Sequence, residues 1–117
     1  MGILSDAFHD NHLDPAIIAD RLRTTKDDVA WSAGLGRDAV LRQRRLMSDP
    51  TQRRLREMVE IVNLVTPRSG NPIMAYAWYR PEPLSRFSGS TAMQLTREGR
   101  ATEVLDYIEA IDAGVHA

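Results

Sequence analysis

The chain has no cysteine among its 117 residues. A disulfide framework and a thiolate metal site are therefore excluded, and any metal would have to rest on His9, His12, His116 and carboxylates. Long apolar runs are missing as well. None approaches the roughly 20 residues of a membrane span, and the first residues lack the basic start and apolar stretch of a secretory signal. The expectation is a cytoplasmic protein with no membrane partner. Lysine is almost absent, since fourteen of the fifteen basic residues are arginine. Arginine suits bidentate contacts to phosphate and guanine, but a GC-rich genome produces the same bias.

What is present begins with 43% apolar residues, enough for one modest core, or for two small helical units sharing one. The net charge of −1 averages over a segregation. Between residues 37 and 56, seven arginines (Arg37, Arg42, Arg44, Arg45, Arg53, Arg54 and Arg56) face only Asp38 and Asp49, a local charge of +5. Between residues 97 and 112, Arg97 and Arg100 face Glu98, Glu103, Asp106, Glu109 and Asp112, a local charge of −3. Two ends of opposite sign prefer partners of opposite sign.

Capping residues and apolar spacing predict a series of helices. Residues 1–13 have no sustained period and read as a loose arm or a short first helix. Asp14-Pro15 supplies an N-cap and a first-turn proline, with Ile17, Ile18 and Leu22 on one face of a helix ending near Arg23. Thr25, with Asp28 in the reciprocal position, opens a second helix that Gly34-Leu35-Gly36 breaks, and Trp31 is assigned to the core. A third helix is expected over residues 37–47. Ser48-Asp49-Pro50 starts the longest of these, with Leu55, Met58, Val59, Val62 and Val65 on one buried stripe, and Thr66-Pro67 is expected to stop it. Asn71-Pro72 starts a short helix dense in large side chains. The prolines at 81 and 83 end it, because each disfavours helix at the residue before it. Thr91 and Gln94 form a capping pair. Ala101, Val104, Leu105, Ile108 and Ile111 make an amphipathic last helix, with Gly114 as its expected stop. Strand is expected nowhere except for a few residues around Phe87.

Residues 26–45 fit the spacing of a helix-turn-helix, with Ala30 as the small residue at the crossing and Gly34 in the turn. Val29, Ala33, Leu35 and Val40 supply the locking apolar contacts. The exposed side of the second helix then carries Arg37, Asp38, Arg42, Arg44 and Arg45, with Gln43 near it. Arginine pairs with guanine O6 and N7, glutamine with adenine N6 and N7, and further arginines hold phosphates, so Arg37, Arg42, Gln43, Arg44 and Arg45 are the candidate DNA-binding residues. Gln43 stands where an apolar residue is usual, which leaves Leu41 and Leu46 to cover the core. A plain helical hairpin with a solvated arginine face is the competing interpretation.

The last third of the chain reads Trp78-Tyr79-Arg80-Pro81, Pro83-Leu84, Phe87-Ser88-Gly89, Thr91-Ala92-Met93-Gln94-Leu95, Gly99-Arg100, Val104-Leu105, Ile108 and Gly114. This order resembles the toxin-binding domain of the Xre/MbcA/ParS antitoxin family, although the proline that family usually has near Thr91 is missing. The resemblance implies an all-α fold: a helix-turn-helix bundle over residues 1–66, then a small helical toxin-binding domain over residues 67–117. It further implies a type II antitoxin that dimerises, binds a RES-domain toxin and covers the toxin's NAD cleft. Such antitoxins join hetero-oligomeric complexes with the toxin and repress their own operon by binding operator DNA. Candidate toxin-binding residues are Trp78, Arg80, Phe87, Asp112, Gly114, Val115, His116 and Ala117. The cleft that holds the NAD pyrophosphate must be cationic, so an acidic last helix is attracted to it, and the tail Val115-His116-Ala117 is placed to act as a plug. For Trp78, Tyr79, Met74 and Phe87, core packing is the stronger expectation over a role as interface anchors. The alternative function is a free-standing transcriptional regulator whose C-terminal half only dimerises.

An enzyme is not expected. His9-Asp10 with His12 does not amount to a metal site. No Ser/His/Asp order, glycine-rich phosphate loop or paired carboxylate stands out, and no cofactor is required. Asp27-Asp28 is explained by favourable charge in a first helical turn.

Overall fold

Polar side chains set just ahead of five of the helices cap their first turns. A computed structural model describes residues 8–9 and 12–116, with side chains over 12–114. Phe8–His9 (β1) and His12–Leu13 (β2) form a minimal antiparallel pair in which His9 faces His12. This is a strand pair that the sequence pattern did not suggest. Asp14 Oδ1 then accepts the Ala16 N–H at 2.8 Å and opens α1 (Pro15–Leu22), which closes on Arg23 at φ 55°. Thr25 caps α2 (Lys26–Ser32) by accepting the Asp28 N–H, but the reciprocal bond does not form, because the Asp28 carboxylate accepts from the Thr24 hydroxyl instead.

The next segment departs from expectation. Instead of one helix over residues 37–47 there are two short ones, α3 (Arg37–Leu41) and α4 (Gln43–Leu46), separated by Arg42 in an extended conformation. The cause is the apolar pattern. Leu41 is 52% exposed rather than covering the core, and with Gln43 at the next inward position only the half-buried Leu46 anchors the second half. The bend at Arg42 brings that half down to α5, where Gln52 Nε2 donates to the Leu46 carbonyl at 2.9 Å. Gln52 is itself buried, and it also exchanges two hydrogen bonds with the backbone of Leu13. One side chain thereby ties the N-terminal strand and α4 to the same helix.

Helix α5 (Asp49–Ser69) begins at a Ser48 cap and runs through Pro67. Proline in a helix interior costs about 3 kcal/mol because it lacks an N–H and crowds the carbonyl four residues back. Here it lies in the last turn, so little ladder remains to disrupt. Thr66 bonds back to the Val62 carbonyl at 2.7 Å, and the Gly70 N–H closes the end on Thr66. Helix α6 (Pro72–Tyr79) opens on Asn71, and α7 (Ala92–Arg97) opens on a complete capping box between Thr91 and Gln94. Between them a Pro83–Thr91 bridge brackets a single 3-10 turn, Ser85–Phe87, where a short strand was expected. Helix α8 (Ala101–His116) is the last element among the described residues.

The described residues are thus mostly helical. Leu55, Met58, Ile61, Val62 and Val65 of α5 are all within 1% of complete burial. They pack in one continuous cluster with Ile18 and Leu22 of α1, Val29 of α2 and Ala33 just after it, Tyr79 of α6, Leu95 of α7 and Val104 and Ile108 of α8. A division at 66/67 falls inside α5, so the N- and C-terminal segments share one core. Among the described residues, no helix is long and apolar enough to cross a membrane, and no buried side-chain nitrogen or oxygen lacks a partner.

Candidate functional site

The basic surface starts at the turn between α2 and α3. Ala30 is buried beneath it, with Val29, Ala33 and Val40, while Leu35 is half-buried. Gly34 sits at φ 78°, a backbone conformation that side chains rarely adopt. The element that presses on it is not α3. A Cβ at Gly34 would lie 3.0 Å from the Cα of Arg97, so the glycine admits the end of α7.

Beyond the turn, Arg37, Arg42, Gln43, Arg44 and Arg45 are all exposed. Arg37 spends its charge on Asp27 at 3.3 Å. Among the described residues, no ion pair engages Arg42, Arg44, Arg45 or Arg56. These cations have their charge available to an anion. The break at Arg42 divides the five candidates between two helix axes, so they do not project from one continuous recognition helix.

Helix α2 is fastened to the C-terminal half by contacts that the sequence pattern did not reveal. The Tyr79 hydroxyl donates to the Ser32 carbonyl at 2.6 Å, and the Ser32 and Tyr76 hydroxyls are 2.8 Å apart, all of it buried. Burial holds the Tyr79 phenol far above its ordinary range, so it remains a donor at any physiological pH. Trp31, expected in the core, is 55% exposed. Its outer face is covered by the Arg97 guanidinium, 3.4 Å from the ring centroid, and Arg97 also donates to the Trp31 carbonyl. A positional pattern cannot distinguish an aromatic buried by apolar neighbours from one roofed by an arginine 66 positions away.

In the C-terminal pattern, Tyr79 is fully buried, whereas Trp78 and Phe87 are half-buried and pack against the core. Met74, also expected inside, is 53% exposed. Phe87 meets Tyr107 edge-to-face at 5.6 Å, with Arg100 on its ring. Arg80 is exposed and lies over Tyr76. Glu103, Asp106 and Glu109 are exposed along α8, and the Arg100 guanidinium holds the Glu103 carboxyl below its ordinary range. Asp112 is engaged by Arg68 of α5.

The expected stop at Gly114 is corrected. Helix α8 continues through it to His116, because glycine weakens a helix interior by about 1 kcal/mol but ends one only when it takes a left-handed conformation. Val115 and His116 therefore continue the helix beyond Gly114. Their side chains, and all of Ala117, lie outside the described residues, as does the side chain of His9. Among the described residues no cluster of three His, Asp or Glu side chains is placed to hold a metal.

No family model, no curated protein and no solved structure matches this chain.

Proposed function

We propose that this chain is the antitoxin of a type II toxin–antitoxin pair, carrying a DNA-facing basic surface at α3 and α4 and a toxin-facing surface in its last forty residues. The observation that carries the proposal is the ordered C-terminal pattern from Trp78 to Gly114, which resembles the toxin-binding domain of Xre/MbcA/ParS antitoxins. Its apolar members Tyr79, Leu84, Ala92, Leu95, Val104 and Ile108 are buried, while Arg80, Trp78 and Phe87 remain wholly or partly accessible. The first set builds the unit, and the second is available to a partner.

The partner is a RES-domain toxin that consumes NAD or uses it to ADP-ribosylate a target. Its NAD cleft must be cationic, and α8 is suited to it. The exposed Glu103, Asp106 and Glu109 run along it, and its C-terminus carries the negative end of the helix dipole, so the acidic prong is attracted over a Debye length of about 8 Å at physiological ionic strength. A helical tail needs less ordering on entry than an extended one does. Inhibition is then occlusion by the end of α8, and the antitoxin homodimer with its toxin forms the hetero-oligomer that represses the operon.

Two experiments test this. Co-expression with the product of the adjacent reading frame is expected to give a stable complex that purifies together, and separate elution contradicts the pairing. A truncation lacking residues 114–117 is expected to lose protection while keeping its affinity for operator DNA. Full protection by the truncated protein overturns the occlusion mechanism.

A further inference from the structure

A small open cleft of about 390 Å3 lies where the α2–α3 turn meets α7, lined by Asp27, Trp31, Gly34, Arg37 and Arg97 among others. Its two guanidinium groups come from opposite ends of the sequence. Arg37 begins α3 and Arg97 ends α7. Arg97 is held in place three ways: its Nη1 donates to the Trp31 carbonyl, its guanidinium covers the Trp31 ring, and its backbone closes against Gly34. A guanidinium has five N–H donors, so four remain once the carbonyl is served. Preorganised in this way, the group loses little side-chain freedom on meeting an anion.

We infer that this cleft takes one backbone phosphate of duplex DNA, gripped by Arg97 and Arg37, with the exposed edge of the Trp31 indole against the adjoining sugar. The inference rests on the proposal that α3 and α4 face DNA, and it adds to that surface a residue from the C-terminal half. Asp27 is the one carboxylate lining the cleft. Its pair with Arg37 is exposed on both sides, and exposed pairs are weak enough for a phosphate to displace the carboxylate. Such a contact fixes the position of the protein on the duplex without reading sequence. It also places a DNA contact and part of the toxin-binding half on one residue's neighbourhood, so the N-terminal segment alone lacks it.

The test measures binding of a fluorescein-labelled duplex of arbitrary sequence across a salt series, comparing the wild type, Arg97→Gln, Arg97→Lys and Arg42→Ala/Arg44→Ala, with thermal melts to confirm that each variant is folded. Arg97→Gln is expected to bind about tenfold more weakly at low salt, and its slope of log affinity against log salt is expected to fall by about one, the signature of one lost phosphate contact. Arg97→Lys is expected to keep the slope and recover part of the affinity. The tryptophan emission change on adding duplex is expected to vanish in Trp31→Phe, and inorganic phosphate alone is expected to cause none. An unchanged slope in Arg97→Gln, alongside a reduced slope in Arg42→Ala/Arg44→Ala, overturns the cleft but leaves the basic surface standing. A wild type that binds no duplex at low salt overturns both. An equal emission response to inorganic phosphate makes the cleft a generic anion site and contradicts its assignment to duplex DNA.

Discussion

At the scale of single residues, the buried link between Ser32 and Tyr79 is the most consequential contact that the pattern of the sequence concealed. Removing the hydroxyl leaves the Ser32 carbonyl, 2.6 Å from it, without its buried donor. Tyr79→Phe is therefore expected to destabilise the fold by about 1–3 kcal/mol, the cost of an orphaned buried polar group, read as a lower melting temperature at neutral pH. The pH dependence has a definite sign. An unfolded tyrosine ionises near 10.0, and burial raises the folded value. The contribution of the phenol is then complete below pH 10 and is lost as pH climbs toward the folded value. The gap in melting temperature between wild type and Tyr79→Phe is expected to narrow above pH 10, and a gap that widens there contradicts the buried phenol. Trp31 and Met74 illustrate why such residues are hard to assign. Both are large and apolar and sit on a helix beside core positions, yet Trp31 is covered by Arg97 and Met74 lies 53% open to solvent. Burial depends on what arrives from elsewhere in the chain.

At the scale of elements, the capped starts were legible, as were the ends of α1, α2 and α6, but the ends of α5 and α8 were not. Asp14, Thr25, Ser48, Asn71 and Thr91 all cap the helices that follow them, because a side-chain acceptor beside a free N–H is a local interaction with no competitor. Thr91→Ala removes the complete capping box of α7 and is expected to cost about 1 kcal/mol, measured by denaturant unfolding. Stops are decided by tertiary packing. Pro67 is carried inside α5 because Val65 and Thr66 are buried beside it, and the expected helix over residues 37–47 breaks at Arg42 because Leu41 finds no core to enter. Gly114 stays helical, with open space where a Cβ would stand. Gly114→Ala is accordingly expected to raise stability by about 0.5–1 kcal/mol and to slow amide exchange in the last turn of α8. Faster exchange would mean that the glycine terminates the helix after all.

At the scale of the whole molecule, the apolar period identified the α5 stripe and the inner face of α8, and from these the all-helical architecture follows. A shared core was among the expectations, but the period did not say which helices build it. Leu55, Met58 and Val62 lie on one side of the expected boundary and Tyr79, Leu95 and Ile108 on the other, yet all belong to one cluster. A fragment of residues 67–117 is expected to show little helical circular dichroism alone, since the helix that completes its core is missing. A cooperative melt of that fragment would contradict a shared core. The basic and acidic surfaces stand on this single body: Arg97 reaches the α2–α3 turn, and Arg68 of α5 engages Asp112 of α8.

The most direct test of the antitoxin proposal is NAD consumption by the protein encoded in the adjacent reading frame, titrated with this chain. Turnover is expected to fall linearly to zero at a fixed stoichiometric ratio, and to recover when residues 114–117 are removed. Undiminished NAD turnover at a large excess of the full chain contradicts the account.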